Sequence, residues 1–169
     1  MNKQQLKELK QRLNFHLQSR VPELLQTEAS ECGLACLTMI CRYYGKDIDL
    51  FSLRQQYAVS SHGATLAVLI QIAQHIGLDS RPLSLDLDEL HCLKRPCILH
   101  WDLNHFVVLV AIKGKNIVIH DPALGRRRLK LSEFSQHFTG VALELWPNAN
   151  FAQTSQRQRL SFRSLLKNI

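Results

Sequence analysis

The sequence predicts an α+β domain in which an N-terminal helical lobe packs on a mostly antiparallel β-sheet. Apolar residues recur at helical spacing as far as Gly77, and beyond it they fall into short β-rich runs separated by turn residues. Helices first and sheet second is the order of an α+β domain, and 46% hydrophobic residues in a chain of 169 is enough for one core.

The elements follow in order. Leu6, Leu9, Leu13 and Leu17 are spaced by three and four, so residues 2–18 are expected to form an amphipathic helix with a basic outer face, ended at "SRVPE". From Cys32 to Tyr44 the apolar residues Leu34, Leu37, Met39, Ile40, Cys41 and Tyr44 cover most of the circumference. That helix should be buried, with Gly45 at its C′ position. A shorter helix is predicted over 49–57, and another in "TLAVLIQIAQHIG", opened by Thr65 and closed by Gly77. Six strands are predicted after it, in "SRPLSL", "PCILHW", "HFVVLVAIKG", "NIVIHD", "RRRLKL" and "GVALELW". Beyond Pro147 the tail is polar, then basic and weakly amphipathic. The expected organisation is an N-terminal helix at 1–20, a folded domain at 21–147 and a basic linker at 148–169.

Composition narrows the function classes. No stretch of eighteen or more apolar residues occurs, and the N-terminus lacks the apolar core and cleavage site of a secretory signal, so a soluble cytosolic domain is expected. Five irregularly spaced cysteines argue for reduced thiols over a disulfide framework. The formal charge of +7 is concentrated at the two ends and in "RRRLK" without a nucleic-acid motif. A nucleic-acid partner is therefore not expected, and a cytoplasmic membrane surface suits the basic ends at least as well.

Cys32 stands at the start of the buried helix, where the helix dipole and unpaired N–H groups favour a thiolate. Cys36 and Cys41 lie deeper among Leu, Ala and Ile, where desolvation favours the inert thiol. A zinc site is the weaker reading of these cysteines together with Cys92 and Cys97, because no C-x-x-C or H-x-x-x-H spacing is present. His105 opens one predicted strand and Asp121 closes the next, and a hairpin through "KGKN" would bring them to one edge of the sheet. A cysteine, a histidine and an orienting carboxylate make a nucleophilic system. Asp102 is the rival orienter, poorly placed within a turn of His105. Gln26 could donate to an oxyanion together with the Cys32 N–H, although alone it reads more plainly as a solvated loop residue. Trp101 and Asn104 flank His105 and could shape a cleft, with packing and turn formation as the equal alternative. His100 and His120 are expected to be structural, and His16, His62, His75, His91 and His137 to be surface or helix-face residues.

"QTEASECGLACLTMI", "ILHWDLNHFVVLV" and "IHDPALG", in this order and with these gaps, resemble the cysteine peptidase domain at the N-terminus of bacterial ABC exporters that secrete bacteriocins, most nearly the colicin V type, over about Val21 to Pro147. The resemblance implies a papain-like fold, with Cys32 as nucleophile, His105 as general base and acid, Asp121 as orienter and Gln26 as oxyanion donor. It implies removal of a double-glycine leader from a secreted peptide, the leader lying as an amphipathic helix on an apolar groove. Trp101, Asn104, Gly63 and Leu66 are the expected substrate contacts. The implied partners are the leader peptide and the transmembrane and nucleotide-binding domains of the same exporter, at the cytoplasmic face of the bacterial inner membrane. No cofactor or metal is implied for the peptidase domain itself, ATP and Mg belonging to the nucleotide-binding domain. The non-catalytic alternative is a leader-binding module, which in such exporters lacks the cysteine. Many members carry an aspartate before the cysteine; Glu31 stands there in this chain and is expected to be a tolerated variation.

Overall fold

Every residue from Cys32 to Cys41 is buried in the first helix, α1 (Cys32–Tyr43), as its all-round apolar character requires. The structure is a computed structural model that describes residues 20–57, 60–61 and 63–152. The amphipathic helix expected over 2–18 lies outside the described residues, as does the tail beyond 152. α1 ends in a Schellman motif: Gly45 at φ 89 lets its N–H reach Arg42 O at 3.0 Å and the Lys46 N–H reach Cys41 O at 3.0 Å.

Two shorter helices complete the lobe. Asp49 caps α2 (Leu50–Gln56) by accepting from Ser52 N at 2.8 Å, and Thr65 caps α3 (Leu66–Ile76) by accepting from Val68 N at 3.3 Å. In α3 the buried residues are Leu69, Ile72, Ala73 and Ile76, one stripe at helical period. Gly77 then turns the chain at φ 97; a Cβ there would stand 2.9 Å from the Phe151 backbone.

All six predicted strands form: β1 (Leu78–Ser84), β2 (Cys97–Trp101), β3 (His105–Lys113), β4 (Asn116–Asp121), β5 (Gly125–Lys130) and β6 (Phe138–Pro147). They make one sheet in the order β1-β6-β2-β3-β4-β5. Every pairing is antiparallel, so the expected "mostly antiparallel" sheet is wholly so. Strand alternation gives each face its own core. On one face Ile98, Phe106, Val108, Leu143 and Leu145 pack against the three helices. On the other, Leu99, Trp101, Val107, Leu109, Ile119 and their neighbours are covered by a 3₁₀ turn at Leu87–Cys92 and by α4 (Leu131–Phe134). The buried Glu144 carboxylate on β6 is matched by Arg81 Nη2 at 2.6 Å, Arg81 Nε at 3.0 Å and Lys94 N at 2.7 Å.

Phe134 is fully buried and meets Trp101 edge-on, ring centroids 5.1 Å apart. Phe134→Ala is expected to leave a cavity under Trp101 and to destabilise the domain by about 3–5 kcal/mol. A denaturant titration read by circular dichroism checks this.

Candidate active site

The β3–β4 hairpin decides which residues meet. Lys113 pairs with Asn116 around a two-residue turn, the register runs back to Val108 opposite His120, and a bulge lies between Leu109 and Ala111. His105, first in β3, and Asp121, last in β4, therefore share one end of the sheet. His105 Nε2 lies 2.8 Å from Asp121 Oδ1. The same oxygen accepts from Ala123 N at 2.8 Å, and Arg127 Nη1 stands 3.6 Å from Oδ2.

The third side chain comes from the helical lobe. α1 packs across β3, with Cys32, Leu34, Phe106 and Val108 in one apolar cluster. Cys32 is 3% exposed, and its side chain lies close enough to the His105 ring to raise the ring's pKa. With Nε2 turned to Asp121, Nδ1 is the ring nitrogen left for the thiol. Burial of His105 disfavours its charged form, but the hydrogen bond it donates to Asp121, the nearby Cys32 thiol and the charges of both outweigh it, and its pKa rises from 6.5 to about 9. Burial likewise pushes the Asp121 carboxyl up, whereas the hydrogen bonds to His105 and Ala123 and the nearby positive charges pull it below the usual range. An imidazolium between two acidic groups is the charge state this arrangement favours.

The other cysteines are of a different kind. Burial holds Cys36 well above the usual thiol range, the nearby Cys32 and Asp121 adding to it, and pushes Cys41 and Cys97 to about 12. Cys92 is exposed, 3.4 Å from His91 Nε2. Among the described residues no three of His, Cys, Asp and Glu gather as metal ligands.

A cleft of about 360 Å³ opens over His105 and Asp121, walled by Gln26, Trp101, Asn104 and Leu124. Gln26 is held at its backbone, where its N–H donates to Pro122 O at 2.8 Å. Of the expected substrate contacts, Trp101 and Asn104 line this cleft. Gly63 and Leu66 do not: Gly63 faces Ser30, just before α1, and Leu66 packs against the helical core. A larger pocket of about 700 Å³ lies at the opposite end of β3 and β4, between Leu87, Leu90, Ile112, Ile117 and Leu131. It is lined by Ile112, at the far end of β3 from His105, and holds neither Cys32, His105 nor Asp121, so geometry and not volume selects the site.

The rivals fall away on contacts. Asp102 pairs with His137 Nδ1 at 2.8 Å and takes φ 48, with Leu103 at φ 65, in the turn that delivers His105. His100 bonds Thr139 Oγ1 at 2.8 Å, and His120 Nδ1 lies 3.2 Å from Pro22 O; both are structural. His137, expected to be a surface or helix-face residue, keeps 32% of its side chain exposed and stacks on Trp101 at 5.2 Å. Two neighbours of the site escaped the sequence reading. Arg127 was indistinguishable from the arginines either side of it. Glu31, expected to be a tolerated variation, has a buried carboxylate that accepts from Thr27 N, Thr27 Oγ1 and Glu28 N at 3.0, 2.7 and 3.0 Å. The one sequence signal for it was the acid three residues after Glu28, in capping-box spacing.

A profile of the Peptidase C39 family matches residues 20–150. The chain is 54% identical over 157 residues to the probable microcin-H47 secretion/processing ATP-binding protein MchF of Escherichia coli, the alignment covering 93% of this chain and 22% of that relative. It is 53% identical over 157 residues to the colicin V secretion/processing ATP-binding protein CvaB of Escherichia coli, with the same coverage of 93% and 22%. It thus spans about a fifth of the length of these relatives. Among solved structures, a double glycine motif protease from an AMS/PCAT transporter, in complex with the leader peptide, matches with TM-score 0.73 and 37% identity over 78% of this chain and 94% of that one. The peptidase domain of Streptococcus ComA matches with TM-score 0.70 and 24% identity over 76% of this chain and 100% of that one, a likeness of fold.

Proposed function

The chain belongs to the Peptidase C39 family, and from that premise we propose that it is a cysteine endopeptidase that cuts a secreted peptide precursor after a double-glycine leader, as one part of a longer exporter. A helical lobe on an antiparallel sheet is the papain-like arrangement of its structural neighbours. The observation that carries the reading is that Cys32, His105 and Asp121 come together, His105 Nε2 lying 2.8 Å from Asp121 Oδ1 with the Cys32 thiol on the ring's other side, under the floor of the cleft.

In this reading the Cys32 thiolate attacks the carbonyl carbon of the scissile bond, and the oxyanion is met by the Gln26 side-chain amide and the Cys32 backbone N–H. The intermediate collapses as His105 gives its proton to the leaving amine, which frees the cargo and leaves the leader as a thioester on Cys32. Water then attacks the thioester, giving one proton to His105, and the leader leaves as a carboxylic acid while the Cys32 thiolate and the His105 imidazolium are restored. Asp121 holds the ring so that Nδ1 faces sulfur throughout. Selectivity for glycine at the cut would come from steric exclusion, the walls of the cleft rejecting larger side chains next to Cys32. The likeness to two secretion/processing ATP-binding proteins supports a peptide cargo and transmembrane and nucleotide-binding partners at the cytoplasmic face of the membrane, with ATP used outside this domain.

Synthetic leaders ending in Gly-Gly, Gly-Ala or Val-Val, incubated with the domain and mapped by mass spectrometry, test the proposal. Cleavage after the first two and none after the third is expected. Binding of all leaders with no cut in any would leave only a leader-holding module. Gln26→Ala should lower kcat by about 10²–10³-fold with KM little changed, the cost of one oxyanion donor. A loss confined to KM would take Gln26 out of that role.

A further inference from the structure

Resting on the peptidase reading above, we propose that Glu31 and Arg54 form a clamp that positions Gln26 against Cys32. Glu31 directly precedes Cys32, and its side chain, 3% exposed, folds back over its own loop. Oε2 gathers the Thr27 N–H, the Thr27 hydroxyl and the Glu28 N–H, which are the first donors after Gln26. Oε1 accepts from Arg54 Nη1 at 2.8 Å, and Arg54 also holds Glu28 Oε1 at 3.0 Å. Arg54 is itself fixed in α2, with its guanidinium over the Phe51 ring at 5.3 Å.

The loop between Gln26 and Cys32 is therefore closed by a carboxylate anchored to the helical lobe. On its other side Gln26 is tied to Pro122, the residue after Asp121. The Gln26 side chain has no comparable anchor: its Oε1 is buried without a hydrogen-bond partner. Its place is inherited from the backbone on either side, and Glu31 sets one of those sides. Burial pushes the Glu31 carboxyl up, but the hydrogen bonds from Thr27 and Glu28 and the Arg54 charge hold it below the usual range, so the clamp is ionised in the working pH range. An acid here is a positioning residue that acts through Gln26 and not on the sulfur.

The test is a double-mutant cycle in a Cys92→Ser background, which removes the exposed thiol. kcat, KM and the rate of Cys32 alkylation by iodoacetamide are measured for wild type, Glu31→Ala, Gln26→Ala and the double variant. Alkylation needs the thiolate but no oxyanion donor. Glu31→Ala should lower kcat by about 10²-fold, the cost of a misplacement near 1 Å, with KM and alkylation unchanged. In the Gln26→Ala background it should cost nothing further. Glu31→Gln, which keeps one acceptor and the shape, should recover part of the rate; if Glu31→Ala does not fold, this variant and Arg54→Met carry the cycle. An equal loss with and without Gln26, or alkylation that slows in step with turnover, overturns the clamp. A wild-type domain that cuts no leader would instead overturn the peptidase reading.

Discussion

Cys32→Ala is expected to abolish leader cleavage, with a loss on the order of 10⁶-fold in kcat, while leader affinity stays near the wild-type value. The sulfur is the only atom that bonds to substrate in the proposed mechanism, so its removal leaves the oxyanion donors and the cleft with nothing to stabilise. Folding should survive, because alanine fills most of the small buried space that Cys32 occupies in the cluster with Leu34 and Phe106. The neighbouring thiols offer no rescue. Cys36 is one turn further into α1, fully buried and held in the protonated form, and Cys92 lies against His91 on the 3₁₀ turn at the other side of the sheet. Cys92→Ser should leave turnover unchanged. Turnover followed by mass spectrometry, with leader binding followed by fluorescence anisotropy, separates the two quantities. Cleavage that persists in Cys32→Ala, or disappears in Cys92→Ser, would move the nucleophile elsewhere.

How much of this was readable beforehand depended on whether a feature has a local signature. The helices at Cys32 and Leu66 and all six strands carry a period, and the helix ends carry Thr65, Gly45 and Gly77, so their existence followed from the chain alone, whereas strand ends shift by up to two residues: β1 begins at Leu78 and β6 at Phe138, ahead of the runs that open at Ser80 and Gly140. Cys32, His105 and Asp121 were legible for the same reason, each being the terminal residue of an element. The insertion of β6 between β1 and β2 was not, because pairing across the chain leaves no local mark. The 3₁₀ turns at Ala29–Glu31 and Leu87–Cys92 have capping boxes but no periodic run behind them, and α4 is a single turn. Arg127 could be told from the exposed Arg126 and Arg128 only once strand alternation put it beside Asp121. Glu31 shows the limit most clearly. Its spacing hinted at a cap, yet that a carboxylate next to the nucleophile turns away to bind its own loop and a helix 23 residues on needs coordinates.

Asp121→Ala should lower kcat on the order of 10⁴-fold while KM changes little, because the imidazole loses the partner that orients Nε2 and keeps Nδ1 on the sulfur. Asp121→Asn separates orientation from charge. The Ala123 N–H and the His105 Nε2–H, each 2.8 Å from Oδ1, both need an acceptor there, so an asparagine would keep its oxygen at that place and turn its NH₂ to the Oδ2 side, where Arg127 Nη1 stands 3.6 Å away. The ring would stay in place with its negative neighbour gone, and the loss should be smaller than for alanine. The pH profile then carries the diagnosis. With the wild-type pKa near 9, His105 remains an imidazolium, able to protonate the leaving amine, until the pH passes that value, so kcat/KM should fall on an alkaline limb near 9. In Asp121→Asn burial still disfavours the charged ring and less opposes it, so that limb should move down towards the ordinary 6.5. Stability follows the same signs. The raised histidine contributes fully below 6.5 and loses its contribution as the pH climbs to about 9, whereas the depressed Asp121 contributes above 3.8 and loses it as the pH falls through its lower folded value. Wild-type melting temperatures should therefore exceed those of Asp121→Asn most between about pH 4 and 6.5, and the gap should close towards pH 9. An alkaline limb that stays in place in Asp121→Asn would mean that the carboxylate does not set the protonation of His105.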